Sequence, residues 1–509
     1  MVALRVAVLC LLLPSAAFSS GDENLPLDHW AYGALERFER LGHVWLPAAR
    51  PYSRREVRDL VARIRESAGE VDRLAPRDRY QLRRLEEEFG GAEPRERYDR
   101  PLLYIEEEDS WAALDLLAGP RLERTPNGSD LDPFLVLRPS LLLRWGRYLT
   151  FESRYDAELG PEEDGRADEE KPSPRVRSWR GLTSEYRRGY LRLSGDRVSL
   201  LVGREEVDWG PSLDQNLLLS RGAGPLDQAA LDLGLGAFRL HLLHARLEAG
   251  HERWLAAHRL EIRGGSHWSV GVAETIVYED RLLDPAYLLP FAWFYANQWN
   301  EREDDNVLWS VDARARLPGA GIVYGELLVD DFQYEGDEAP NKTGYTLGLR
   351  GLAPGWSDRV EVNLEYTRID AYTYSHKDTL ETRYLTGDGR FGVGNHLLGH
   401  AIGPDSDRWR VGLTVYPSAR LRVDLASSWG RHGERDDLTP WEDGLPPDPP
   451  FPSGVIERVR RFEARIALDL ARGGRAAVVG GVLDRRNREH RAGEHSSEGF
   501  LRVEILWDF

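Results

Sequence analysis

The chain of 509 residues contains one cysteine, Cys10. It lies in the N-terminal apolar run, so the mature chain has neither disulfides nor thiol chemistry. An exported protein of this kind must be held by burial and hydrogen bonding alone. Beyond residue 20 there is no apolar run of about eighteen residues, which excludes a spanning helix. Spanning strands are not excluded, because their signature is only about ten alternating residues. The polar mean hydropathy of -0.50 fits a barrel with a polar lumen and polar loops. Lysine is confined to Lys171, Lys342 and Lys377, so nearly all positive charge is arginine. This shortage reads as genomic base composition. Asp and Glu number 85 against 67 Lys and Arg, and an acidic chain with scattered arginines argues against a nucleic-acid partner. His-Glu-x-x-His, P-loop, dinucleotide glycine and nucleophile-elbow motifs are all absent, and the histidines are dispersed. No catalytic residue, metal site or cofactor is expected.

The first twenty residues read as a secretory signal peptide. Arg5 gives the positive end, Ala7 to Leu13 the short apolar run, and Pro14 to Ser20 the small residues for cleavage. Cys10 sits too early in that run for a lipoprotein. Residues 21–92 read as a small helical bundle. Asp28 is placed to cap a first helix whose stripe is Tyr32, Leu35, Phe38 and Leu41, ended by Gly42. Ser53 with Glu56 forms a capping box before Val57, Leu60, Val61 and Ile64. A third helix starts near Pro76 and stops at Gly90-Gly91. About sixty-five residues are marginal for independent folding, so this unit should dock on the larger body C-terminal to it.

Residues 93–509 read as an all-β, transmembrane antiparallel barrel with long extracellular loops. A first hairpin is expected near Phe134 to Tyr155, and from about 176 the period is two. Val307, Trp309, Val311 and Ala313 alternate with Ser310, Asp312 and Arg314. Val360, Val362, Leu364 and Tyr366 alternate with Glu361, Asn363 and Glu365. Leu501, Val503, Ile505, Trp507 and Phe509 share one face at the chain's end. Tight linkers (Gly195-Asp196, Pro417-Ser418, Gly473-Gly474) contrast with long polar ones at 368–408 and 430–457, the pattern of periplasmic turns and extracellular loops. Aromatic residues near strand ends (Tyr148, Trp179, Trp254, Trp268, Trp309, Trp409, Trp507) fit interfacial girdles. The length leaves room for roughly sixteen to eighteen strands. Lipid offers no hydrogen bonds, so the first strand must pair with residues 500–509.

Two segments stand out as candidate sites. Gly203 to Ser212 is too polar for a lipid face. Arg204 there could pair with Glu205, Glu206 or Asp208, and Trp209 follows. Paired carboxylates also serve sugar hydrolysis, but close acids in an acid-rich chain are weak ground, and a structural lumen network is the expectation. The segment Leu288 to Asn300 carries Trp293, Tyr295, Asn297 and Trp299. Rings with amides could hold a sugar, yet an inserted plug or an interfacial aromatic patch is the favoured reading.

The helical unit, the Gly203-Arg204-Glu205-Glu206-Val207-Asp208-Trp209-Gly210 block with Leu217-Leu218-Leu219-Ser220, and the barrel ending in Phe509 together resemble the capsule assembly Wzi outer-membrane proteins. The resemblance spans most of the mature chain. It implies an outer-membrane barrel of eighteen strands with a periplasmic bundle. It also implies a lectin-like, non-catalytic role in attaching group 1-type capsular polysaccharide to the cell surface. Trp507 and terminal Phe509 are similar to the signal read by the barrel assembly machinery. The implied partners are capsular or extracellular polysaccharide, outer-membrane lipid and lipopolysaccharide, and that machinery during biogenesis, with the protein a monomer. The competing class is an outer-membrane porin or transport channel for small solutes or sugars.

Overall fold

The structure is a computed structural model. It describes residues 22–91, 101–161, 180–247, 253–279, 284–289, 293–301, 305–319, 321–331, 339–353, 359–376, 384–386, 396–470 and 473–508, apart from 127, 129, 147, 437–438, 443–444 and 447. The proposed signal peptide, Trp179 and Phe509 lie outside the described residues, as does the side chain of Trp299. Among the described residues, eighteen antiparallel strands close into a barrel that begins with Ser110–Arg124 and ends with His495–Asp508. Closure comes from pairing Leu501 with Arg124, Val503 with Leu122 and Trp507 with Ala118. The short strand Leu103–Glu107 pairs with Ser110 to Leu114, on the part of that edge the last strand does not reach. The sequence reading puts the first hairpin near Phe134 and assigns no strand at Ser110–Arg124, which closes the barrel. Its outward row is interrupted by Pro120 and flanked by a charged segment, which hides the alternation. No described helix is long and apolar enough to cross a membrane.

The register explains the alternation. Val311, Leu327, Leu347, Phe462 and Ile466 each expose about half of their surface, all on the outward side. Outward aromatics cluster at two levels. One holds Trp145, Phe238, Trp268 and Trp507 near the short turns; the other holds Tyr155, Tyr345, Tyr366, Trp409 and Trp429 near the long loops. A lipid band bounded by ring girdles has this form.

The N-terminal unit folds as expected, with one exception. Helices α1 (Ala31–Leu41), α2 (Arg54–Ala68) and α3 (Pro76–Phe89) pack through Leu35, Phe38, Leu60, Ile64, Leu82, Leu85 and Phe89, all buried. Gly42 ends α1 with φ 96°, and the backbone N–H of Glu56 donates to Ser53 Oγ at 3.2 Å. Asp28, however, does not cap α1. The residue before that helix is Trp30, without a side-chain cap. Asp28 instead accepts from Arg138 and Arg154 of the barrel wall, each at 3.3 Å. Burial works to raise its carboxyl, but Arg154 and Arg138 outweigh it and hold the group well below the usual range.

The unit sits in the short-turn end of the barrel and is fixed around its rim. Arg37 and Arg40 grip Glu361 at 2.8 and 2.6 Å. Arg84 reaches Asp469 at 2.8 Å, Arg55 reaches Asp196 at 2.5 Å, and Arg316 donates to the carbonyls of Glu39 and Val44 at 2.6 and 3.0 Å. Charges at the short-turn ends of the strands therefore hold a plug.

Candidate functional site

The Gly203–Ser212 block leaves the strand Val198–Glu205 and turns into the lumen. Two glycines make the path possible. Gly203 has φ 138° and Gly210 has φ 143°. A Cβ on Gly203 would lie 2.3 Å from the carbonyl oxygen of Gly189, and one on Gly210 would lie 2.4 Å from Asn216 Oδ1. Trp209 is buried and pairs with Ala49 of the helical unit, while its own backbone N–H donates to Leu219 at 2.9 Å. The helical plug and the inserted block thus share a two-stranded ribbon inside the barrel.

Arg204 is not part of this arrangement. It shares the outward face of its strand with Val202 and forms a bidentate pair with Asp227 at 2.7 and 2.8 Å. Strand parity is the reason, since it puts neighbours on opposite sides of the wall. The block's carboxylates find other arginines. Glu205 takes Arg188 at 2.9 and 2.7 Å, Glu206 takes Arg187 at 2.5 Å, and Asp208 takes Arg221 at 2.6 Å. Arg188 is completely buried, also bonds Glu152 at 3.0 Å, and donates to the carbonyl of Asn24 at 2.9 Å. Each acid is held by a guanidinium.

Beyond the block the chain fills the lumen. Leu217, Leu218 and Leu219 are at most 1 % exposed and pack on inward Leu243, Leu255, Val277, Leu308 and Leu328. The backbone of the insert is satisfied by the wall. Glu326 accepts from the N–H of Leu217 at 2.9 Å, Glu365 accepts from that of Leu213 at 2.9 Å, and Tyr374 Oη donates to the carbonyl of Leu217 at 2.6 Å. Residues 396–405 fold in from the same side: Ser220 N–H donates to the carbonyl of Leu398 at 2.8 Å and Arg408 holds Asp214 at 2.5 Å. Sequence reading puts Glu152, Glu326 and Glu365 on inward rows without assigning them to the site, and it does not single out Arg188. The signal was there in their inward parity, opposite outward Leu191, Phe151, Leu327 and Leu364.

The second segment lies elsewhere. The helix Phe294–Glu301 packs on the outward face of the wall, near the long loops. Phe294 is buried with Tyr278, Tyr287, Ala256 and Ile276. Glu274 caps the helix by accepting from the N–H groups of Phe294 and Tyr295 at 3.0 and 3.2 Å, and it also accepts from Trp309 at 2.7 Å. Trp293 is 61 % and Tyr295 39 % exposed. Asn297 is turned to the carbonyl of Ala286 at 3.4 Å. Among the described residues no hydrogen bond or ring contact joins this segment to the lumen block, and no group of His, Cys, Asp and Glu is placed to hold a metal.

The comparisons agree with this architecture. The family model for the capsule assembly protein Wzi matches residues 143–498. The chain belongs to that family. Among solved structures, it is similar to Wzi of Escherichia coli, an outer-membrane protein involved in group 1 capsule assembly and a carbohydrate-binding β-barrel. The TM-score is 0.61 at 11 % identity, over 96 % of this chain and 100 % of that one. The outer-membrane protein OprD of Pseudomonas aeruginosa aligns with a TM-score of 0.47 at 10 % identity, over 78 % of this chain and 93 % of that one. A search of curated proteins found no match. The eighteen-strand closure and the N-terminal helices expected of a family member are both present.

Proposed function

We propose that this family member is an outer-membrane surface anchor that binds extracellular polysaccharide, takes part in capsule or exopolysaccharide assembly, and catalyses no reaction. The carrying observation is the filled lumen. A channel needs a continuous water path lined by polar groups. Here three insert leucines are buried against inward leucines, alanines and valines of the wall, and the wall's Glu326 and Glu365 are engaged by the insert's backbone N–H groups. Burial of this kind is worth about 1.5–3 kcal/mol per leucine, which favours the closed state. The insert occupies the long-loop end, so the surface presented to a ligand outside the cell is the extracellular loop face. Asp405 stiffens that face by accepting from the N–H and hydroxyl of Ser453. In this reading the first twenty residues are cleaved, the barrel assembly machinery reads the C-terminal strand, and the protein acts as a monomer.

The test pairs planar-bilayer conductance with surface retention of polysaccharide in a deletion strain. The reading expects baseline conductance and polysaccharide shed into the medium. Steady large conductance with unchanged surface polysaccharide would move the protein to the transport class.

A further inference from the structure

Register places a line of charge on the outside of the barrel, at the long-loop rim. Across neighbouring strands, the directly opposite residues are Arg368, Asp407, Arg431, Arg458, Arg486 and His495. One step toward the membrane, the corresponding line is Tyr366, Trp409, Trp429, Arg460 and Asp484. Below that come Val411, Phe462 and Val482. Arg458 and Arg486 therefore lie immediately above the aromatic girdle and Arg460 level with it, on the same outward face as the lipid-facing side chains.

Part of this line is neutralised. Arg431 forms a two-point pair with Asp407 at 2.9 and 2.5 Å, Arg368 pairs with Asp370 at 2.9 Å, and Asp484 takes His495 at 2.6 Å. Arg458, Arg460 and Arg486 make no ion pair among the described residues, although Arg460 lies across from the His495-bound Asp484, and all three are exposed. Arg458 faces Arg431 on one side and Arg486 on the other. Like charges directly opposite each other across strands repel. A soluble face would separate them. A layer of fixed anions would instead make the arrangement favourable, because guanidinium groups bind phosphate with two parallel N–H donors.

We propose that Arg458, Arg460 and Arg486 form a binding site for the phosphate groups of an outer-leaflet phosphoglycolipid of the lipopolysaccharide class. Its acyl chains lie along Phe462, Ile466, Val478 and Val482, and its phosphates meet the arginines beside and above Trp429. Two features favour a lipid over a soluble anion: the site is continuous with the lipid-facing wall, and it is on the outside of the barrel. This site is separate from the loop face, to which the polysaccharide reading applies.

The experiment uses the purified full-length barrel in detergent, with native mass spectrometry for lipid binding. The probes are bisphosphorylated lipid A and the same lipid after enzymatic dephosphorylation. An arginine near an anionic surface is worth about five-fold in binding, so three together give on the order of 100-fold. Removing the phosphates, or making Arg458→Gln, Arg460→Gln and Arg486→Gln together, should each weaken binding by about that factor. The corresponding triple lysine variant should retain most of it. Equal binding of the dephosphorylated lipid, or an unaffected glutamine variant, would overturn the proposal. Displacement of the lipid by millimolar inorganic phosphate or by soluble anionic polysaccharide would overturn it too, since the site would then be a general anion site. Heat-modifiable gel mobility reports folding. If the triple variant does not fold, the wild-type comparison of the two lipids decides alone.

Discussion

Among single residues, the interior is governed by paired charge. Arg188 has Glu152 and Glu205 as acid partners and no exposure to water. Removing one member of such a group leaves the others buried and unmatched, which costs about 3–5 kcal/mol. Arg188→Met should therefore lower the thermal unfolding temperature markedly, read by near-ultraviolet circular dichroism or loss of heat-modifiable mobility. A melt within one degree of wild type would contradict this. His400 provides a pH test. Burial first, and then Arg408, push its imidazole from 6.5 down to about 3, so it is neutral in the docked segment. Released, it would take up a proton more readily. Its contribution to docking is thus complete above pH 6.5 and lost progressively as the pH falls toward 3. Asp214 acts in the same sense at lower pH: burial works to raise its carboxyl, but Arg408 and Arg410 hold it below its usual value. Amide hydrogen exchange at 396–405 should accelerate between pH 7 and 4 beyond the intrinsic pH effect, and His400→Gln should flatten that change. A profile with no such acceleration in the wild type would remove the argument.

Among the elements, the inserted block depends on a turn that only glycine fits. Gly210→Ala must adopt φ near 143° and displace Asn216, whose side chain bonds Asp208 at 2.7 Å and the N–H of Ser212 at 2.9 Å. A penalty of about 1–3 kcal/mol is expected, visible as faster proteolysis of residues 211–224 with the barrel still intact. Simultaneous loss of barrel mobility on gels would mean the insert is not a separable element. The outward helix carries a different expectation. Trp293 and Tyr295 are exposed beside Leu288 and Leu289 on the lipid-side flank, a composition suited to the membrane interface. Replacing both rings by alanine should lower stability in liposomes while leaving polysaccharide binding within about two-fold, the usual scatter of a surface change. A loss of binding of tenfold or more would make this helix a glycan platform instead.

Taken whole, the barrel is a container closed by its own chain from both ends. The helical unit is bound to wall residues as far apart in sequence as Asp196 and Asp469, and the inserts are bound to it through Trp209 and Ala49. Deleting residues 211–223, with the helical unit left in place, should raise single-channel conductance above the wild-type baseline. An unchanged baseline would show that the remaining plug is sufficient by itself. Much of this container was legible from alternation, since a strand's parity is written directly into its residues. The inward rows of Glu361, Glu365 and Arg314 were readable as charged lumen positions. Their partners were not, because Arg37, Leu213 and Leu46 lie more than a hundred residues away.

Which side chains meet lipid, where the chain turns tightly, and that the sheet must close are all set by the linear order of residues. Each follows from local period and from the cost of an unpaired strand edge in hydrocarbon. The family resemblance was carried there too. Folding in three dimensions was needed to settle that Arg204 faces outward, that Asp28 belongs to the wall, that the lumen is filled, and that three arginines from two neighbouring strands share one outer face. Those outcomes depend on register and on which distant segments meet, and register is a property of paired strands that no single strand encodes.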